Sequence, residues 1–294
     1  MVLALLALIA GGQAHANSLI FCDQNISLTA NQQNRILLFS SKIKDLLDNS
    51  GNKVAIISRS GIDLDRFNIR YSHSGISLKD SNNTSWSVRQ LYYGCKESKP
   101  SIYDQGLSGY LMDHENASSQ YVSIVLIPPP MEDLVEQAAL DKQISLKLLG
   151  ADYSANAYPF STDFQNCNQW VMELLAHALG KLDRHGDLRL VAQKWLKAQN
   201  YQPTDIEIKY AYMMWGSHFL PLIHNNDHPA ENIEKKLYQV SMPASVEAFI
   251  KATVPGASRL ELCLNKDAMV VHNGWDSIRE HCQPGPDDEV VPLL

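Results

Sequence analysis

The chain has 294 residues, of which 45% are hydrophobic, enough to bury a sizeable core in one large domain or two small ones. It carries 25 Lys and Arg residues against 32 Asp and Glu residues, so its formal charge is −7. No basic run interleaved with aromatic residues occurs in the sequence, which argues against nucleic acid as a partner.

The first residues have the composition of an export signal. Residues 2–10 form an apolar run, and Ala14-His15-Ala16 supplies a small-x-small ending for signal peptidase. The run is too short to span a bilayer. We therefore predict a signal peptide at residues 1–16, export to the periplasm and no membrane anchor. Because no basic residue precedes the run, either the true start of the signal lies upstream or the run is an apolar N-terminal helix.

The first predicted elements are a helix and a short strand. Thr29 and Gln32 have the spacing of a capping box, and apolar residues then recur every three or four positions until Gly51. Residues 54–58 are apolar and form the predicted strand. Together they predict an amphipathic helix followed by a buried strand.

A hairpin, a further strand and a long helix are predicted next. Residues 71–78 and 86–93 are rich in β-forming residues and are joined by a polar turn, which favours an antiparallel pair. Residues 121–127 form a strand that three prolines end. Residues 131–149 then have a helical pattern, which Gly150 terminates.

Helices dominate the middle of the chain. Asn166 is a suitable N-cap for a helix that ends at Gly180, and a second helix begins at Asp187. Residues 244–252 form a third helix, followed by strands near residues 260 and 270. The acidic, proline-rich residues 284–294 are predicted to be a flexible tail.

Five cysteines in an oxidising compartment leave one thiol unpaired. Cys263 and Cys282 flank the predicted C-terminal hairpin, and Cys22 and Cys95 flank early elements, so we expect these two disulfides. Cys167 is left over. It is either a buried inert thiol or a reactive one.

The position of Cys167 favours the reactive alternative. It directly follows the N-cap Asn166, where unpaired backbone N–H groups and the helix macrodipole stabilise a thiolate. We therefore predict a lowered thiol pKa, a nucleophilic role, and an oxyanion site at the same N–H groups. The competing interpretation is a small core residue.

His73 is the candidate base for that thiol. It lies on a predicted strand, where alternation places Tyr71, Gly75 and Ser77 on the same face. A strand histidine by itself is more often structural, so the catalytic interpretation depends on its pairing with Cys167.

The order of these two residues resembles that of a known enzyme group. In the circularly permuted branch of the NlpC-like papain-fold hydrolases, with the order of the lecithin:retinol acyltransferase type, the histidine strand precedes the cysteine helix. Here that strand is Tyr71-Ser72-His73-Ser74-Gly75-Ile76, and the helix opens with Asn166-Cys167. The resemblance implies an α+β papain-like fold over residues 17–283: a small antiparallel sheet packed on the nucleophile helix, with helical insertions and a C-terminal hairpin extension.

Four longer motifs are similar to those of an uncharacterised family of exported bacterial proteins, over nearly the whole mature chain. They are SRSGIDL at 58–64, RQLYY at 89–93, YSANAY at 153–158 and QNCNQW at 165–170. This family resemblance brings no known substrate.

The NlpC-like resemblance also implies further site residues. A third polar residue should orient the histidine, and Gln90 is the candidate, with Arg89 as the alternative because strand register decides between them. An oxyanion donor is implied upstream of the cysteine helix, where Tyr153 and Tyr158 offer hydroxyl groups. Each of these side chains also has a purely structural interpretation.

The predicted function is acyl transfer through a thioester. An exported cysteine hydrolase or acyltransferase would act on an amide or ester of a cell-wall peptide, the favoured class, or of a lipid acyl group. The alternative is a catalytically silent binding or structural protein on the same fold. His224 and His228 lack further ligands at a familiar zinc spacing, so we expect no metal and no cofactor.

Overall fold

The computed structural model describes residues 28–62, 64–112, 120–217, 220–265 and 268–293. The predicted signal peptide and Cys22 lie outside the described residues, and the predicted Cys22–Cys95 bridge lies outside them with Cys22. Within them the chain is a mixed α+β protein built on a large antiparallel sheet, and no helix is long and apolar enough to cross a membrane.

Ten strands lie in the described residues, and eight of them form one sheet in the order β10-β9-β8-β5-β1-β2-β3-β4. A separate two-stranded sheet pairs β6 with β7. The strands are β1 (Val54–Arg59), β2 (His73–Leu78), β3 (Ser87–Gly94), β4 (Lys99–Gln105), β5 (Gln120–Leu126), β6 (Thr204–Glu207), β7 (Leu237–Val240), β8 (Ser258–Asn265), β9 (Ala268–Asn273) and β10 (Glu289–Pro292).

Helices cover both faces of the large sheet. In the described part of the chain they are α1 (Ala30–Asn49), α2 (Leu107–Met112), α3 (Met131–Leu140), α4 (Lys142–Lys147), α5 (Cys167–Leu179), α6 (Leu188–Ala198), α7 (Ala211–Ser217), α8 (Ala230–Glu234) and α9 (Pro243–Thr253). The predicted capping box is confirmed, because Thr29 and Gln32 cap α1 reciprocally.

The central strand β1 shows how the two cores are divided. Val54 and Ile56 pack into the core that contains α5, whereas Ala55 and Ile57 pack into the core that contains α1 and α2. Successive residues of a strand point to opposite faces of the sheet, so all four are fully buried. In each neighbouring strand, therefore, only alternate residues face α5.

The structure differs from the sequence prediction in several places, and the short elements α2, β6, α7, α8 and β7 had not been predicted. The helix predicted at 131–149 is two helices, because Asp141 interrupts α3 and caps α4 through the backbone N–H groups of Gln143 and Ile144. Part of the segment predicted as a tail is β10, which pairs with β9. The sheet is also larger than the small sheet expected, since β4 extends it beyond β3, and β1, β5, β8, β9 and β10 extend it beyond β2.

The Cys263–Cys282 disulfide is confirmed, and both residues are buried beside Tyr71 and Tyr121. It joins β8 to the segment after β9, across 19 positions of sequence.

Replacing both bridged cysteines by alanine should lower the free energy of unfolding by about 3 kcal/mol, because the bridge restricts the unfolded chain. Urea unfolding of the oxidised wild type and of the double variant measures this difference. Equal midpoints would show that the bridge contributes nothing to stability.

Candidate active site

The first turn of α5 is anchored by its cap. Asn166 is buried, and its side-chain oxygen accepts a hydrogen bond of 2.7 Å from the backbone N–H of Gln169. Its amide donates to the carbonyl oxygens of Ala155 and Ser241. These bonds make Cys167 the first residue of α5, as the sequence predicts.

Asn166→Ala should lower the free energy of unfolding by about 1 kcal/mol, since the Gln169 N–H loses its acceptor. Asn166→Ser is the matched control, because a serine oxygen can cap the helix and should retain most of the stability. Thermal or urea unfolding measures both variants. An alanine variant as stable as the serine variant would contradict the capping role.

The Cys167 thiol is buried, with 6% of the residue exposed. Burial raises the thiol pKa to about 11, although the backbone N–H groups of Asn168, Ser74 and Cys167 and the charge of Arg59 act to lower it. The lowered pKa predicted from the sequence is therefore wrong for this structure. The free energy lost by dehydrating the thiolate is larger than the stabilisation that the helix terminus and the nearby charge of Arg59 provide.

The two candidate oxyanion tyrosines have different surroundings. The Tyr153 hydroxyl faces the Cys167 thiol, and burial together with that thiol raises the pKa of Tyr153 well above its usual value. Tyr158 instead packs against the rings of Phe160 and His228. Only Tyr153 of this pair is placed next to the thiol.

His73 and Gln90 are in direct contact. The Nε2 of His73 hydrogen-bonds to the Oε1 of Gln90, whose amide donates to Gln105 at 2.8 Å. Because an amide oxygen only accepts, Nε2 carries the proton and Nδ1 keeps its lone pair. Burial and the charge of Arg59 lower the pKa of His73 to about 3, against a smaller raising effect of Gln90, so the ring is neutral near pH 7.

The strand register excludes Arg89 from this contact. Arg89 and Leu91 lie on the face of β3 that is directed toward α5. The Arg89 guanidinium hydrogen-bonds to the carboxylate of Asp104 at 2.6 Å and to the carbonyl oxygen of Ala139. Gln90, one position along, lies on the other face with Val88.

The structure brings the histidine strand to the cysteine helix, but it turns the two side chains apart. The hydroxyl of Ser74 donates to Asn168 of α5 at 2.8 Å, so Ser74 faces the helix. His73, the neighbouring residue, faces away and packs against Tyr110 of α2, with ring centroids 5.9 Å apart. The ring and the Cys167 thiol therefore project from opposite sides of β2.

A cavity of about 210 Å³ adjoins Cys167. Polar residues surround its cysteine end, among them Ser72, Tyr153 and Asn168, while most of the remaining wall is aliphatic or aromatic. The sequence motifs did not identify this wall, because its residues come from 62–67 and from 206–242, far apart along the chain. The alternating apolar residues of β6 and β7 are the local signal that could have suggested it.

His224 and His228 make structural contacts near that wall, a ring stack and a hydrogen bond. The ring of His224 stacks on Phe164 at 4.1 Å, and the Nε2 of His228 lies 2.7 Å from the carbonyl oxygen of Asn156. Among the described residues, no group of three or more His, Cys, Asp or Glu side chains could hold a metal ion.

The fold and site thus define a mixed α+β protein with a buried free thiol at a helix N-terminus beside a cavity. The chain belongs to a bacterial family described as "Uncharacterized protein conserved in bacteria (DUF2145)", whose model matches residues 46–250. No curated protein and no solved structure matches the chain.

Proposed function

We propose that the protein is an exported thiol hydrolase or acyltransferase of the permuted NlpC-like type. The observation that carries the proposal is the position of Cys167, at the first turn of α5 and at the polar end of the cavity. The backbone N–H groups and the Tyr153 hydroxyl around the thiol are the donors that a developing oxyanion needs. The disulfide supports an oxidising compartment.

In the proposed reaction the Cys167 sulfur attacks the carbonyl carbon of an ester or amide. The C–S bond forms, the C–O or C–N bond breaks, and the thiol proton passes through the base to the leaving alcohol or amine. Water, or another alcohol or amine, then attacks the thioester. The C–S bond breaks and the proton of the attacking group returns to Cys167.

His73 is the proposed base, with Gln90 orienting it. Its Nδ1 lone pair is the available acceptor, because Nε2 is held by Gln90. The proposal requires the ring to reach the thiol side of β2 when substrate binds. The pairing of β2 with β3 spans only Ile76–Leu78, so among the described strands β1 is the one neighbour that pairs with β2 at His73, opposite Arg59.

Intact-protein mass spectrometry with p-nitrophenyl acetate tests the proposal. We expect an acetyl adduct on the wild type, none on Cys167→Ala, and release of nitrophenol with turnover. His73→Ala should slow turnover by about 10²- to 10⁴-fold, the usual contribution of a general base, and Gln90→Ala by less.

Tyr158→Phe is the matched control, because the Tyr158 ring lies in a different group of contacts from the thiol. It should leave the rate unchanged. Nitrophenol release that survives Cys167→Ala would overturn the proposal.

A second candidate is a binding protein that holds a ligand in the cavity without chemistry. The observation that favours it is the separation of the ring and the thiol by β2, with the thiol protonated and the ring neutral near pH 7. It predicts that Cys167→Ala and His73→Ala bind ligand as tightly as the wild type, and that the wild type turns nothing over.

A further inference from the structure

The wall of the cavity beside Cys167 is made mainly by apolar side chains from two separate parts of the chain. One side comes from the segment after β1, with Ile62, Leu64 and Phe67. The other comes from β6, β7 and the residues around them, including Ile208 and Val240. Many of these residues belong to one apolar cluster, so the wall is a continuous hydrophobic surface.

Most of the polar lining lies around the thiol, and the other uncharged polar side chains of the lining, Asn156 and Tyr238, already hydrogen-bond within the protein. Asn166 and Asn168 flank Cys167 in sequence, and Ser72 and Tyr153 complete the polar surroundings of the thiol. A ligand that fits this distribution has a single polar group, placed at the thiol, and a long apolar remainder. A carbonyl group joined to an aliphatic chain has that form.

A cell-wall peptide does not have that form. Its charged carboxylates and amines would lose hydration in the cavity, which costs several kcal/mol for each polar group that finds no partner. Arg66 is the one charged residue in the described lining. It is exposed, and its guanidinium lies 4.7 Å from the centre of the Phe67 ring, on the surface.

The volume also suits an aliphatic chain. An apolar cavity of about 150 Å³ accepts a benzene-sized ligand of six carbons, so the cavity here, of about 210 Å³, encloses about eight carbon atoms, and the end of a dodecanoyl chain would extend beyond it. Met213 and Met242, both in the lining, have flexible unbranched side chains that adapt to a chain of variable shape.

We propose that this cavity receives an unbranched aliphatic acyl chain whose carbonyl group lies at Cys167, so that the substrate is a fatty-acyl ester or amide. The inference rests on the proposed function for its chemistry, but the binding step can be measured without it.

Displacement of a fluorescent fatty-acid probe by dodecanoic acid tests the binding step, with the Cys167→Ala variant so that no thioester can form. We expect displacement, and about tenfold weaker binding when Ile223→Trp is added to fill the cavity from one wall. Leu64→Trp, on the opposite wall, is the second variant and should act in the same direction. Leu146→Trp is the matched control, because Leu146 is 60% exposed and lies outside the lining.

Turnover by the wild type tests whether the aliphatic chain of the substrate contributes to the reaction. We expect a kcat/KM at least about tenfold higher for p-nitrophenyl dodecanoate than for the acetate, a difference that Ile223→Trp and Leu64→Trp should remove. Turnover of dodecanoylglycerol would identify an ester-linked donor, and turnover of N-dodecanoylglycine an amide-linked one.

The outcomes separate this inference from the proposed function. Dodecanoic acid that binds in the cavity, with no thioester formed by the wild type, would support the inference and overturn the proposed function. Acetate turnover through Cys167, with no displacement by dodecanoic acid, would overturn the inference and leave the function standing. Equal weakening by Leu146→Trp and Ile223→Trp would also overturn it, since the effect would then not come from the cavity.

Discussion

Iodoacetamide is expected to alkylate Cys167 in the folded, ligand-free protein about 30-fold more slowly near pH 7 than it alkylates a free cysteine. With a pKa of about 11, the thiolate fraction is roughly 300-fold below that of a thiol titrating at about 8.5. The greater nucleophilicity of the more basic thiolate recovers about tenfold. The rate should rise about tenfold per pH unit until the pKa is reached. Mass spectrometry of samples quenched at successive times measures this rate.

Two variants locate the charges that act on the thiol. His73→Ala should leave the rate unchanged, because a ring with a pKa of about 3 carries no charge near pH 7 and faces α2. Arg59→Met should slow alkylation further, because the charge of Arg59 lowers the thiol pKa. If His73→Ala slows the reaction instead, the ring lies beside the thiol in solution, and the lowered pKa predicted from the sequence holds after all.

Arg189→Met is expected to lower the free energy of unfolding by about 3–5 kcal/mol, the usual effect of breaking a buried ion pair from one side. The Arg189 Nε lies 2.9 Å from the carboxylate of Glu173 on α5, and both side chains are almost completely buried. Burial already raises the pKa of Glu173, while Arg189 acts to lower it. The guanidinium also donates to the carbonyl groups of Thr162 and Phe164, in the loop that leads to α5.

Lys235→Met is the matched control for this prediction. Lys235 pairs with Glu231 on an exposed surface, and its loss should change stability by no more than about 0.5 kcal/mol. Combining Glu173→Gln with Arg189→Met should restore part of the lost stability, because no unpaired charge is then buried. Urea unfolding measures all three variants. A loss for Arg189→Met no larger than that for Lys235→Met would contradict the structural role of the pair.

Local patterns were sufficient for the framework of the candidate site. Asn166 signals a helix start by a hydrogen bond to a residue three positions away, so the position of Cys167 at the first turn of α5 could be predicted from neighbouring residues alone. The hairpin that carries His73 and Gln90 was predictable for the same reason, since its strands are close in sequence. The Cys263–Cys282 pair also follows a local hairpin.

The secondary elements that were missed have weaker local signals. The strand β4 carries few apolar residues and is partly exposed, so its place in the sheet depends on pairing with β3. The strand β10 likewise takes its structure from β9 rather than from its own short, proline-ended sequence. Strand pairing between distant segments supplies the hydrogen bonds in both cases.

Local sequence patterns are sufficient to conclude that His73 and Ser74 face opposite sides of the sheet, that Cys167 opens a helix, and that one of the five cysteines is left unpaired. Which of the two faces α5 depends on the complete fold, which places Ser74 toward α5 and His73 away from it. Alternation defines two faces, but long-range packing of α1, α2 and α5 assigns them to the two cores. The same packing buries the thiol, and the free energy of dehydrating a thiolate then sets its pKa.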